Sequence, residues 1–411
     1  MGRPRVAVTG VGVISPIGLN AEDFWTSLVS GKSGVRLISR FDTSDFPVKV
    51  AAEINDFDPA KYMDPKTVDR TSRSTQFAVA AAKEAVDGAG LDMSRESPDR
   101  VGVVASNMVE TDYIAEGSEA VRTRGYRRGD PLFITKSSPS VIAMRLGMLL
   151  GARGPNTSVN SLCASGADAI GAAFNFIRLG YADVMIAGGA DATLGLTNLA
   201  GLAIVGALSR EADPARACRP YDLNRSGFVY GEGAGIVVME TFDHARSRGA
   251  RVLVELAGAG WSFDAYNETA PDSEAEALAM SVALRDAGVR PEEVDHVNSH
   301  GTATKLNDSC ETRAIKKVFG QHAYRLPVTS NKSMLGHLIT AGGAVEFIGA
   351  ALSISRGVIP PTINYETPDP ECDLDYVPNS ARNVQTNVCL KDSFGLGGEN
   401  CCLVLKRFGA F

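Results

Sequence analysis

No apolar run in the chain reaches the ~18 residues that span a bilayer, so no membrane-crossing segment is expected. Positive charge is also short. Asp and Glu number 48 against 41 Lys and Arg, a net charge of −7, which speaks against nucleic acid as a partner. The 7 cysteines show no paired CxxC spacing and are odd in number. Without a secretory signal, this usage points to a reducing, cytoplasmic setting with no metal site. Two nucleotide motifs are incomplete. Gly10-Val11-Gly12 lacks its third glycine, with Ser15 and Pro16 in its place. The glycines of Gly227-Phe228-Val229-Tyr230-Gly231-Glu232-Gly233-Ala234-Gly235 are not followed by the Lys-Ser/Thr pair of a phosphate loop.

What is present is an alternation of strand and helix patterns. At 411 residues the chain exceeds one simple core, so two domains or a duplicated unit are expected. Buried-strand patterns lie at 5–12, 101–105, 183–188 and 236–240. Helical patterns lie at 20–28, 71–89 and 139–150. Residues 41–64 read as loop. The segment 106–136 reads as polar and irregular, with Arg122, Arg124, Arg127 and Arg128 close together. A second series follows: strands at 252–257, 296–299, 388–390 and 401–405, helices at 273–287, 311–319 and 341–354. Alternation in both halves indicates a layered α/β fold. No close sequence repeat is visible.

The chain is organised around Thr157-Ser158-Val159-Asn160-Ser161-Leu162-Cys163-Ala164-Ser165-Gly166-Ala167-Asp168. A short alternation enters Cys163. Ile170, Phe174 and Ile177 then recur at helical spacing up to Gly180. This predicts strand, sharp turn and helix. Cys163 then sits at a helix N-terminus, whose free N–H groups and partial positive charge favour thiolate, the nucleophilic form. A buried core thiol is the competing reading.

Three further stretches carry dense polar groups: His300-Gly301-Thr302-Ala303-Thr304 with Asp308 and Glu311, Lys332-Ser333-Met334-Leu335-Gly336-His337 with Glu346, and Ser393-Phe394-Gly395-Leu396-Gly397-Gly398. The chain has only 5 histidines, and two of these stretches each hold one beside small residues. His300 and His337 suit a shared pocket. The glycine turn offers free backbone N–H groups of the kind an oxyanion site needs. A nucleophilic Cys, two candidate bases, a Lys and a donor loop together support covalent acyl transfer through a thioester.

In order and separation these stretches resemble the type II β-ketoacyl-acyl-carrier-protein synthases, and the likeness runs from Val8-Thr9-Gly10 to Val404-Leu405. Lys305-Leu306-Asn307-Asp308, Gln321-His322-Ala323-Tyr324 and Glu371-Cys372-Asp373-Leu374-Asp375-Tyr376-Val377-Pro378 most resemble ketosynthase-alpha subunits of bacterial type II polyketide synthases. The resemblance implies a thiolase fold, a five-layered αβαβα sandwich of two similar halves, 1–250 and 251–411. It implies that Cys163 takes the acyl chain from an acyl-carrier protein. His300 and His337 would assist decarboxylation of malonyl-carrier protein, and Lys332 and Glu346 would set the local electrostatics. Backbone N–H groups of Cys163 and Leu396 would form the oxyanion hole. Thr302, Thr304, Phe228, Met108 and Leu396 would bind substrate or its pantetheine arm, with Asp308 and Glu311 behind them. No resident cofactor is implied.

The alternatives separate on single residues. A non-catalytic chain-length subunit would lack Cys163, and a priming condensing enzyme would carry Asn where His337 stands. A chain-length-factor partner points to a polyketide heterodimer, a homodimer to a fatty-acid enzyme. Lys61, Lys66, Arg70 and Arg73 are candidates to dock an acidic carrier protein. Three departures from the group stand out: Leu396 where Phe is usual in the gate, Asp392 where Asn is usual, and Asn160-Ser161-Leu162 before the Cys. They point to a specialised substrate such as a reduced or polyene chain.

Overall fold

The computed structural model describes residues 3–409. Ten strands form the main sheet system. The first half supplies β1 (Val6–Ile14), β2 (Val101–Asn107), β3 (Asn156–Thr157), β4 (Val184–Asp191) and β5 (Gly233–Thr241). The second supplies β6 (Val254–Phe263), β7 (His296–Asn298), β8 (Val328–Thr329), β9 (Val388–Phe394) and β10 (Glu399–Lys406). Their spatial order is β3-β2-β4-β5-β1-β6-β10-β9-β7-β8.

That order contains a duplication invisible in the residues. Numbered within its half, each set of five strands runs 3-2-4-5-1 from the outer edge inward. The parallel and antiparallel pairings match strand for strand. The halves meet where β1 pairs with β6 through Val6, Ala7 and Val8. Sheet topology depends on which faces are apolar rather than on residue identity, so two halves can keep one plan without visible repeats.

The helices follow the same plan. Besides the helix Ala21–Val29 and shorter ones at Pro65–Asp69 and Phe242–Ser247, the first half has α1 (Arg73–Ala89), α2 (Thr111–Arg124), α3 (Val141–Leu150), α4 (Ser165–Arg178) and α5 (Leu196–Ile204). In the second they are α6 (Ser273–Ala287), α7 (Lys305–Phe319) and α8 (Gly342–Arg356). Helices α1 and α3 cover one outer face, with Phe77, Ile142 and Leu146 against Val103, Ile186 and Val238. Helices α6 and α7 cover the other, with Met280, Leu284 and Ile315 against Leu390 and Val404. Between the sheets lie α4 and α8, whose Ile170, Phe174, Phe347 and Ile348 share one core with Val237, Met239, Leu403 and Leu405. The result is the thiolase fold, a five-layered αβαβα sandwich.

Glycine lets the two inner helices touch backbone to backbone at their N-termini. A Cβ on Gly166 would stand 2.7 Å from the Ala344 nitrogen, and one on Gly343 2.7 Å from the Ala167 nitrogen. No side chain fits at such separations, so the two helix starts approach more closely than ordinary packing allows.

Several local expectations need correction. The strand before Cys163 is only Asn156–Thr157, and residues 158–161 of the lead-in carry no regular secondary structure. Residues 106–136 are not irregular. They contain α2 and a short helix, Phe133–Ser137, although α2 has no buried residue and so carries little apolar periodicity. The helix expected from 311 begins at Lys305, because Thr304 caps it with Oγ1 accepting the Asn307 N–H at 3.3 Å. Gly233 to Gly235 belong to β5 rather than to the glycine-rich turn. Helix α5 has no counterpart in the sequence reading.

Candidate active site

The site lies where the N-termini of α4 and α8 meet. Cys163 occupies a single 3₁₀ turn, Leu162–Ala164, that runs directly into α4. Leu162 has φ 50°, a left-handed conformation uncommon for a side chain of its size. Ser165 holds the turn: its Oγ accepts the Ser161 N–H at 2.9 Å and donates to the Leu162 carbonyl at 2.7 Å. The Cys163 residue remains partly accessible, unlike the other six cysteines, which are buried.

Burial is the largest influence on the Cys163 thiol and pushes its pKa up, and Asp191 adds to the rise. The N–H groups of Leu396 and of Cys163 itself donate toward Sγ and oppose it, as does the Lys332 charge. Burial wins, so the resting form is the thiol rather than the thiolate expected from helix position alone, because desolvation outweighs a partial charge.

The 300–304 turn is held from behind. Glu311 accepts the N–H of His300 at 2.6 Å and of Gly301 at 2.8 Å. Asp308 accepts the N–H of Ala303 at 3.2 Å and of Tyr221 at 2.8 Å. Ala303 sits at φ 66° and Gly301 at φ 36°, so these carboxylates secure a backbone that would otherwise relax. Burial pushes the pKa of both carboxyls up, opposed by these N–H donors and, at Asp308, by Arg225.

Two imidazoles face each other, with ring centres 5.4 Å apart at 83°. His337 Nδ1 accepts the Ile339 N–H at 3.2 Å, so its hydrogen sits on Nε2, which is buried and has no partner. His300 Nδ1 lies 3.3 Å from Lys332 Nζ. An ammonium can only donate, so the His300 hydrogen is also on Nε2. Burial, then Lys332, holds both pKa values well below the ordinary imidazole range, with Lys391 adding to it. Both rings are therefore neutral N–H donors.

Lys332 is 1% exposed. Its Nζ donates to Glu346 Oε1 at 2.6 Å and to the His300 carbonyl at 2.6 Å. Burial lowers its pKa and Glu346 opposes the shift. The buried pair satisfies the rule that an interior cation needs a close counter-charge.

The structure thus gathers Cys163, His300, His337, Lys332, Glu346 and the Leu396 N–H into one locus. Phe228 joins them, its ring centre 5.0 Å from that of His337. Thr302 and Thr304 stand on the adjoining turn with their Oγ1 atoms 2.9 Å apart. Leu396, 43% exposed, lies in the hairpin between β9 and β10, which Gly397 and Gly398 turn at φ 98° and 91°. Met108 follows β2, and Asn160 Nδ2 donates to the preceding Asn107 carbonyl at 3.3 Å. That bond ties the Met108 loop to the Cys163 lead-in. Lys61, Lys66 and Arg70 lie exposed on the surface. Arg73 does not join them: it donates to the Ile54 carbonyl and pairs with Glu232 at 3.2 Å.

Sequence reasoning missed Lys391, which is buried beside Glu346, and gave no role to Phe394 of the third stretch, whose ring centre is 5.9 Å from that of His300. The expected strand stops at 390, whereas the structure carries it on to Phe394, and the signal for Lys391 was a charged residue directly after that apolar run. Among the described residues no cluster of three or more His, Cys, Asp or Glu is placed to hold a metal ion. None of the described helices is long and apolar enough to cross a membrane.

A five-layered thiolase fold with a cysteine at one inner helix start, beside two neutral imidazoles, defines a condensing acyltransferase. The comparisons with known proteins agree. Residues 3–245 match the N-terminal domain of β-ketoacyl synthases and residues 253–366 the C-terminal domain. The chain belongs to the β-ketoacyl synthase family. It is 44% identical to 3-oxoacyl-[acyl-carrier-protein] synthase 2 of Coxiella burnetii over 99% of both chains. It is 41% identical to the Staphylococcus aureus enzyme of that name, again over 99% of both. Among solved structures, the ishigamide ketosynthase/chain length factor superposes with TM-score 0.93 at 37% identity, covering 99% of this chain and 100% of that one. A type II polyketide ketosynthase in complex with its acyl-carrier protein gives TM-score 0.91 at 33% identity, covering 98% and 99%.

Proposed function

We propose that this chain is the condensing subunit of a type II polyketide synthase that extends reduced or polyene chains by two carbons. Cys163 Sγ attacks the carbonyl of an acyl thioester carried on pantetheine. The N–H groups of Cys163 and Leu396 receive the oxyanion, a contribution of about 3–4 kcal/mol per donor in comparable sites. The pantetheine thiolate leaves and takes up the thiol proton. Malonyl-carrier protein then enters, with Thr302 and Thr304 bonding its pantetheine arm. Its carboxylate departs as carbon dioxide, and the resulting enolate oxygen accepts the Nε2–H groups of His300 and His337. The enolate carbon attacks the acyl-Cys163 thioester, and the Cys163 thiolate leaves and takes up one proton from solvent, which restores the resting thiol. No resident cofactor is needed.

The observation that carries the condensation chemistry is the pair of imidazoles with Nδ1 occupied, which places both hydrogens on Nε2, that of His337 buried without a partner. A neutral donor pair stabilises a developing anion without giving up a full proton. The polyketide assignment is supported by Leu396 in the gating hairpin and by the likeness to the ishigamide ketosynthase/chain length factor. In this reading the partner chain is a chain-length-factor subunit, Met108 helps bound the acyl pocket, and Lys61, Lys66 and Arg70 dock the carrier protein. A second reading, a fatty-acid enzyme acting as a homodimer, is favoured by the 44% identity to the Coxiella burnetii enzyme.

Intact-mass spectrometry tests both. The chain, with and without a co-expressed partner, is mixed with acyl-carrier protein bearing short saturated or unsaturated chains. An acyl adduct on the wild type and none on Cys163→Ala is expected. A requirement for the partner and a preference for unsaturated chains support the polyketide reading. Equal acylation by all chains without a partner supports the fatty-acid reading, and an adduct retained by Cys163→Ala overturns both.

A further inference from the structure

Lys391 is fully buried in β9, where a lone ammonium would be costly. The strand alternates, so Cys389 packs into the inner layer and Leu390 into the outer, and Lys391 turns inward with Cys389. Its Nζ lies 3.0 Å from Glu346 Oε2 and 3.1 Å from Ser393 Oγ, and it also donates to the Asp392 carbonyl. The other Glu346 oxygen is 2.6 Å from Lys332 Nζ. One carboxylate is therefore bracketed by two buried cations. Lys332 and Glu346 alone would be electroneutral. Lys391 leaves the cluster with a net positive charge beside the imidazole pair.

We propose that Lys391 is a positioning residue for the condensation: with Lys332 and Glu346 it holds a net positive charge behind His300 and His337, so both rings stay neutral donors well into acidic pH. The proposal rests on the roles given above to the two histidines. A positive charge nearby disfavours imidazolium and favours the enolate and thiolate anions formed in the reaction.

Other charged groups surround the cluster. His300 faces Lys332, Lys391 and His337, and Glu311 of α7, which accepts the His300 and Gly301 N–H groups, also acts on Lys332 and offsets part of the positive charge, while burial pushes its own pKa up. His337 faces Lys332 and Lys391. Asp191, at the end of β4, acts on the Cys163 side and is bound by Thr193 and Thr340. Asp392 points to the opposite face of β9, toward Glu276 of α6, Glu311 and Cys402. Burial and then Glu311 push the Asp392 pKa up to about 7, so on the acid side it is neutral and does not cancel Lys391.

The test is the pH profile of malonyl-carrier-protein decarboxylation by the full chain in single turnover, from about pH 9 down to about pH 4, so that the acid limb falls inside the scan. Lys391→Met is expected to move the acid limb up by about one pH unit, a ~10-fold loss of rate below the limb. Lys391→Arg, which keeps the cation, is expected to hold the wild-type limb. A Met variant that folds, judged by circular dichroism and melting, yet keeps the wild-type limb overturns the proposal. If the Met variant does not fold, the Arg variant decides, and a limb displaced by a full unit with the cation retained overturns it. His300→Ala and His337→Ala run in parallel. Wild-type rates in these would sink the histidine assignment. Their loss of activity, combined with an unmoved limb in the Lys391 variant, would sink only the role of Lys391.

Discussion

Asp392 shows what a single departure costs. No nitrogen or hydroxyl donor reaches either carboxylate oxygen, and burial with Glu311, opposed only weakly by the Cys402 thiol and Lys391, pushes its pKa up to about 7 from an ordinary 3.8. The folded state therefore binds a proton that the unfolded chain releases near pH 4. The associated stability is fully present below the unfolded value and is lost as pH rises through about 7. Asp392→Asn removes that loss. Relative to wild type, the variant should gain stability on the order of a few kcal/mol between about pH 5 and 8. Chemical denaturation at both pH values checks this, and a difference that does not change with pH refutes it. At this scale the sequence was informative about chemistry-bearing residues in compact motifs. Cys163, His300 and His337 stood out because a small residue stands directly beside each, and Lys332 because it shares a short motif with His337. Lys391 did not, because no motif surrounds it in the chain and only the packing of the strand brings it to Glu346.

The two inner helices carry the site at the scale of elements. Cys163 precedes α4 and His337 precedes α8, and the close approach at Gly166 and Gly343 sets the distance between them. Gly343→Val would drive a branched side chain into the Ala167 backbone. Overpacking of this kind costs about 1–3 kcal/mol or more. Denaturant melts should show that loss, together with a larger fall in Cys163 acylation than stability alone explains. Normal acylation would mean that the helix starts do not set the geometry. Most inner and outer helices were legible from periodicity, because each buries a stripe. Helix α2 was not, since no residue of it is buried in this chain.

For the whole molecule, the acidic balance and the exposed Lys61, Lys66 and Arg70 bear on partners. Reversing two of these charges should lower kcat/KM for carrier-protein substrates about 10-fold at low salt, with less effect at high salt where charges are screened. The acylation of Cys163 by a small-molecule thioester should be unchanged, and a carrier-protein rate equally unaffected would remove this docking surface. Arg73 belongs outside the test, since its guanidinium is spent on Glu232 and the Ile54 carbonyl.

By itself the sequence determined the α/β layering, the order of the motifs and the identity of the nucleophile candidate, because these follow from local periodicity and from residue type. Only the tertiary structure decided the duplicated 3-2-4-5-1 strand plan, the tautomers of His300 and His337, and the resting thiol at Cys163. Each of these depends on groups far apart in the chain: strand partners, the Lys332 ammonium, and the burial that two packed halves impose. The bracketing of Glu346 between Lys332 and Lys391 belongs with them, since a helix and a strand must first close on each other before one carboxylate can meet both cations.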